Sequence, residues 1–129
     1  CLLLLVCLVI SSILADYPLY IDKLDKGKAS KQDKKHLDRL DDDEYTPRSQ
    51  LKSQFDDILA RQSPAVQAKY QEKVLREERK RTEKEEKKMR KYQEKGRDAV
   101  YRQILSIEGD LSLSEKQVKQ QTKMLKKQL

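Results

Sequence analysis

The pattern of apolar positions begins with an unbroken run and continues as a series of helical stripes. Residues 1–15 (CLLLLVCLVISSILA) carry no charged side chain, and the chain turns polar at Asp16. A helix needs about 20 apolar residues to span a bilayer. The shorter run is typical of a secretory signal peptide, truncated at its start and cleaved after Ala15. The pattern therefore predicts a secreted, extracellular protein, with a short membrane anchor as the alternative.

Residues 16–44 show little periodicity. A small apolar cluster follows the cleavage point, and residues 23–35 are mostly charged. Ser30 can accept hydrogen bonds from the first free amides of a short helix, of two or three turns at most. The acidic run at 41–44 then separates this segment from the rest. We expect 16–44 to be a poorly ordered polar and acidic segment.

The stripes become clear from residue 45 onward. Thr46 followed by Pro47 predicts a helix start, because a hydroxyl can cap the helix and proline loses nothing at its first position. The helix should end near residue 62. One face of it carries apolar side chains at helical spacing, namely Leu51, Phe55, Ile58 and Leu59.

A long charged helix, or a broken pair of helices, is predicted over residues 64–107. Ser63 followed by Pro64 repeats the start signal, and the first apolar stripe is Val66, Tyr70 and Val74. Residues 76–88 contain no apolar side chain. Opposite charges recur there three or four residues apart, which favours an exposed helix with little to bury.

Apolar residues return near the end of this region and continue into a last helix. They include Met89, Tyr92, Ala99, Val100, Ile104 and Ile107. Gly96 is a weak point for a helix, and Gly109 is typical of a helix end. Ser114 with Gln117 matches a capping box, so a last helix is expected from residue 114.

These elements predict an all-α protein. A small helical bundle or a helical hairpin is the simplest arrangement of a short helix, a long charged helix and a last helix. The N-terminal part is expected to be weakly ordered. Apolar positions are few, so the core should be small.

Composition narrows the function classes. Both cysteines lie within residues 1–15, so a chain cleaved after Ala15 has none. Disulfides, cysteine catalysis and thiolate metal ligation are then excluded. The three glycines are far apart and form no phosphate loop, and His36 is the only histidine. We therefore expect no enzymatic activity.

Net charge is concentrated in residues 45–129, which hold 22 basic and 13 acidic residues. Such a surface favours polyanions, so an anionic glycan or a membrane surface is a candidate partner. Secretion makes nucleic acid an unexpected partner. The alternative is a solvated helical surface with no specific partner.

The block TPRSQLKSQFDDILARQSPAVQAKYQEKV, the long charged helix and the late AVYRQILSIEGDLSLSEKQ together resemble the nematode SXP/RAL family of secreted antigens and allergens. The resemblance covers residues 45–129. It implies a small all-helical, non-enzymatic domain that acts at the host interface. Some members of that family are described as binding divalent cations.

A cation site is the first candidate for chemistry. Ca²⁺ and Mg²⁺ prefer oxygen ligands. Four consecutive carboxylates are available in the acidic run, namely Asp41, Asp42, Asp43 and Glu44. They do not match an EF-hand loop. The alternative is an acidic linker that stays extended.

Two further possibilities concern the apolar stripes and the long helix. The stripes could line a site for a small apolar ligand, although the same residues serve equally as a core or a dimer seam. The long helix could assemble as a structural, coiled-coil-like homo-oligomer. The apolar gap at residues 76–88 argues against a continuous seam, because heptads need apolar a and d positions.

Overall fold

The computed structural model describes residues 19–129, and over that range the protein is all-helical, as predicted. Two short 3₁₀ turns, Ile21–Lys23 and Lys26–Lys28, precede the α-helices. The helices are α1 (Lys31–Asp42), α2 (Arg48–Ala60), α3 (Pro64–Glu94), α4 (Asp98–Glu108) and α5 (Glu115–Lys126). The predicted signal peptide, residues 1–15, lies outside the described residues. Within them, no helix combines the length and apolar character needed to span a bilayer.

Three of the four predicted helix starts are confirmed in atomic detail. The hydroxyls of Ser30 and Ser63 accept from backbone amides three residues later, and Ser114 forms the complete capping box with Gln117. The prediction for Thr46 is wrong. Helix α2 begins after Pro47 without a side-chain cap. The Thr46 hydroxyl instead donates to Asp43, at 2.6 Å.

The region 64–107 is a broken pair of helices. Helix α3 ends at Glu94, and Gly96 follows with a φ of 67°. A side chain is strained in that left-handed conformation, whereas glycine adopts it readily. Helix α4 then turns back toward α3, and the rings of Tyr92 and Tyr101 lie 5.0 Å apart across the turn.

The core cluster joins residues on both sides of position 44, so residues 19–44 are more ordered than the prediction of a poorly ordered segment over 16–44. The structure describes 19–44 as the two 3₁₀ turns and α1, packed on α2 and on the start of α3. Helix α1 buries Leu37 and Leu40 on one face, and these residues fix it to the core. The cluster comprises Ile21, Leu24, Leu37, Leu40, Leu51, Phe55, Ile58 and Val66.

A buried arginine links this core to the C-terminal helices. Arg48, only 1% exposed, donates from its guanidinium to the carbonyls of Glu108, Asp110 and Leu113 at 2.8, 2.7 and 3.1 Å. Its backbone amide also donates to the Leu113 carbonyl. A cation at the C-terminal end of a helix is favoured by the helix dipole. Arg48 therefore holds the end of α4 against the start of α2.

Candidate functional site

An open groove of about 540 Å³ lies where the second half of α3, α4 and α5 meet. Its lining combines aromatic and aliphatic side chains with charged ones. The lining residues are Arg81, Lys84, Glu85, Lys88, Tyr92, Tyr101, Ile104, Leu105, Glu108, Lys126 and Leu129.

The apolar part of the groove is built by the turn between α3 and α4. The rings of Tyr92 and Tyr101, tilted 47° to each other, lie at this end, and Ile104 and Leu105 continue the surface along α4. Tyr101 and Ile104 are buried, whereas Tyr92 and Leu105 are partly exposed. The groove therefore offers a fixed apolar wall that a ligand could contact without rearranging the core.

The charged part of the groove lies on the stripe of α3 that leads away from the turn, together with Glu108 of α4 and Lys126 of α5. Two of its cations face carboxylates: Arg81 lies 3.1 Å from Glu85, and Lys126 of α5 lies 4.0 Å from Glu108. Within residues 19–129, neither Lys84 nor Lys88 has a carboxylate within ion-pair distance. These two ammonium groups give this end of the groove its uncompensated positive charge.

A buried polar network includes Arg81, one of the cations at the charged end of the groove. Glu78 is buried on α3, where it accepts from the Tyr20 hydroxyl at 2.8 Å and from the Arg81 guanidinium. Burial, and then the hydrogen bond to Glu78, raises the pKa of Tyr20. The prediction that residues 76–88 have little to bury is therefore wrong at Glu78, whose charge is satisfied inside the protein.

Burial also raises the pKa of the Tyr101 hydroxyl, and the nearby carboxylates of Glu85 and Glu108 raise it further. The neutral phenol is thus the stable form at the groove wall. Neither Tyr92 nor Tyr101 donates its hydroxyl to an acceptor within residues 19–129. Both hydroxyls remain available to a bound molecule.

The four predicted metal ligands are dispersed over different partners. Asp41 and Asp42 are exposed on the last turn of α1, and Asp41 lies 3.9 Å from the ammonium of Lys26. In the part of the chain that is described, no group of three or more His, Cys, Asp or Glu side chains is arranged to hold a metal ion.

The other two carboxylates of the acidic run have structural partners. Asp43 accepts from the amides of Tyr45 and Thr46 and from the Thr46 hydroxyl, which lowers the pKa of Asp43. Glu44 accepts from Lys119 of α5 at 2.9 Å, and this ammonium lowers the pKa of Glu44. The acidic run is therefore a structured connection between α1, α2 and α5 instead of an extended linker.

The apolar stripes that were candidates for a ligand site divide between core and groove. The first two are core: Leu51, Phe55 and Ile58 are buried, and the Phe55 ring lies 5.4 Å from that of Tyr70. The last stripe supplies Ile104 to the groove. The sequence did not predict that Tyr92, Tyr101, Lys84 and Lys88 share one groove. They come together because the turn at Gly96 brings α4 back onto the charged stretch of α3.

Other predicted features occupy surface positions. His36 shares a 2.8 Å hydrogen bond with Gln54. The four lysines of α5, at 116, 119, 123 and 126, and Lys127 directly after it are all exposed. The apolar side chain of Met124 lies beside them and is 65% exposed. This helix thus presents a basic face with a narrow apolar edge.

Comparison with known proteins adds no relative. No protein-family model matches the chain, and no curated protein or solved structure matches it either. The resemblance to the nematode SXP/RAL family therefore stays a prediction from the sequence.

Proposed function

We propose that this protein is a secreted, non-enzymatic helical protein of the SXP/RAL type that binds a small apolar ligand in the groove between α3, α4 and α5. The observation that carries the proposal is the apolar wall of the groove, formed by Tyr92, Tyr101, Ile104 and Leu105. Its volume, about 540 Å³, lies within the range of ordinary ligand sites.

Several properties of the groove support binding without catalysis. Both carboxylates of the lining face cations, Glu85 facing Arg81 and Glu108 facing Lys126, and within residues 19–129 the lining contains no histidine, cysteine or serine. The sole histidine, His36, belongs to α1 and does not line the groove. The groove is also open to solvent, which favours weak and exchangeable binding.

The proposal can be tested with an introduced fluorophore, because the chain contains no tryptophan. Leu105→Trp places an indole at the groove, and Leu75→Trp places one on an exposed part of α3 outside its lining. Adding a neutral apolar compound should shift the Leu105→Trp emission to the blue and saturate, and leave Leu75→Trp unchanged. Equal responses from both variants would refute binding at the groove.

Polyanion binding is a second candidate, favoured by the basic face of α5. Lys123 and Lys127 are exposed there and have no carboxylate within ion-pair distance in the described chain. Retention on heparin should fall steeply with salt, because counterions compete for the same charges. Lys123→Gln with Lys127→Gln should weaken retention more than the same change at Lys69 and Lys73, which lie on α3.

A further inference from the structure

We infer that the ligand of the groove is an amphipathic carboxylate, a molecule with one anionic head and one hydrocarbon tail. This inference rests on the groove proposed above and names the chemistry that the groove selects. The head lies between the ammonium groups of Lys84 and Lys88, and the tail lies along Tyr92, Tyr101 and Leu105.

The charge of the lining favours an anion. Its side chains comprise four cations and two carboxylates. The two carboxylates, Glu85 and Glu108, already face Arg81 and Lys126. Lys84 and Lys88 are left, four residues apart on one face of α3, where like charges repel. An anion bound between them removes that repulsion and gains two charge-assisted hydrogen bonds.

The order of the groove residues along α3 favours a molecule with two chemically different ends. A helix rises 1.5 Å per residue, so Lys88 lies about 6 Å and Lys84 about 12 Å from Tyr92 along the axis. The two lysines thus lie away from the turn, and the aromatic pair of Tyr92 and Tyr101 lies beside the turn. A neutral apolar molecule would use only the second half of this arrangement, and an inorganic anion only the first.

The open side of the groove agrees with a long flexible ligand. Tyr92 and Leu105 are only partly buried, so a tail can lie against them from solvent without entering the closed core. The hydroxyls of Tyr92 and Tyr101 also point to no acceptor in residues 19–129, so they can donate to a ligand.

The test compares decanoate with decanol, which share a hydrocarbon tail and differ in the charge of the head. Binding of each to the protein is measured by calorimetry at low and at moderate salt, below the concentration at which decanoate forms micelles. We expect decanoate to bind about tenfold more tightly, with a preference that shrinks as salt rises, because partly exposed charges are screened.

Two double variants locate the head group. Lys84→Gln with Lys88→Gln should weaken decanoate about tenfold and leave decanol unchanged. Lys69→Gln with Lys87→Gln removes the same charge from α3 outside the groove lining and should preserve the preference for decanoate. Far-UV circular dichroism verifies that both variants are folded.

The outcomes separate the two proposals. Equal affinity for decanoate and decanol, or a preference that survives in the Lys84 and Lys88 variant, would overturn the amphipathic carboxylate and leave the apolar site standing. Binding of neither compound would overturn the groove as a ligand site. Binding of both compounds, with a preference for decanoate that disappears only in the Lys84 and Lys88 variant, is the result that supports both proposals.

Discussion

Replacing the buried Arg48 with methionine should destabilise the protein strongly. Methionine keeps most of the apolar stem and removes the guanidinium, so it isolates the polar contacts. Those contacts include four hydrogen bonds to carbonyls, one of them of 3.5 Å to Ile107. The substitution removes these donors at a site that is 1% exposed to solvent. The carbonyls of Ile107, Asp110 and Leu113 each keep a backbone donor, and the Glu108 carbonyl loses the donor described for it.

The magnitude follows from the burial. A hydrogen bond from a charged group contributes about 1.5–3 kcal/mol, and several bonds from one side chain do not add fully. We expect Arg48→Met to lower the free energy of unfolding by about 3–5 kcal/mol, which corresponds to the loss of about two such bonds at a buried site. Small domains have only about 5–15 kcal/mol in total. Arg48→Lys keeps the charge but cannot reach all four carbonyls, so it should cost about half as much.

The assay is urea unfolding followed by far-UV circular dichroism, with the slope of the transition compared between variants. Arg102→Met is the matched control, because Arg102 of α4 pairs with Asp98 at 2.9 Å on the exposed surface. Exposed pairs contribute about 0–1 kcal/mol. A loss of less than about 1 kcal/mol in Arg48→Met, or equal losses in the two methionine variants, would refute the role assigned to Arg48.

Three further predictions concern other parts of the fold. Gly96→Ala should lower the free energy of unfolding by about 1–2 kcal/mol in thermal or urea unfolding, because φ is 67° there. A Cβ would meet nothing within 4 Å, so the cost comes from the backbone conformation alone. Tyr20→Phe should cost about 1 kcal/mol at neutral pH by removing a donor from buried Glu78. Millimolar Ca²⁺ or Mg²⁺ should leave the melting temperature unchanged, because Asp43 and Glu44 already accept internal donors.

The pH dependence of the Tyr20 variant has a defined sign. The folded state raises the pKa of Tyr20, so it favours the protonated phenol. Its stabilising effect is fully present below the unfolded pKa of about 10 and is lost as pH rises above that value. The difference between wild type and Tyr20→Phe should therefore narrow in alkaline solution. A difference that stays constant up to pH 11 (about one unit above the unfolded pKa) contradicts the raised pKa of Tyr20, which burial and then the hydrogen bond to Glu78 produce.

Outcomes that contradict the other two predictions are equally direct. The control for Gly96→Ala is Gly109→Ala, because Gly109 has a φ of −84°, which suits any residue. Equal losses of stability in the two variants would argue against backbone strain at Gly96. For the cations, a melting temperature that rises with Ca²⁺ and stops rising in Asp41→Asn with Asp42→Asn would restore the acidic run as a metal site.

Local signals in the sequence predicted much of the fold. Serine caps and the break at Gly96 act within a few residues, and the apolar stripe of α2 depends only on helical spacing, so each is visible in a short window. The structure of residues 19–44 was harder to predict. Leu37 and Leu40 are only two apolar side chains in a charged segment, and their burial depends on partners in α2 and the 3₁₀ turns.

The groove was largely beyond prediction, because its residues are brought together by tertiary contacts. Arg48 and Glu78 were indistinguishable from surface charges until their partners, distant in sequence, were known. Lys84 and Lys88 belong to a stretch whose charges alternate, and nothing local indicates which of them lose their partners. Composition correctly indicated a basic surface but could not locate the positions where charge and apolar area meet.

The links made by the start of α2 also constrain when the molecule can complete its fold. The amides of Arg48 and Ser49 donate to the carbonyls of Leu113 and Leu111, and the amide of Lys116 donates to the Glu44 carbonyl. Contacts so distant in sequence close late and slow folding, because a long loop must be ordered first. During synthesis, α1 and α2 can meet while the rest is still being made. The contacts of the buried arginine cannot form until residues 107–113 have left the ribosome, so this step of folding follows the meeting of α1 and α2.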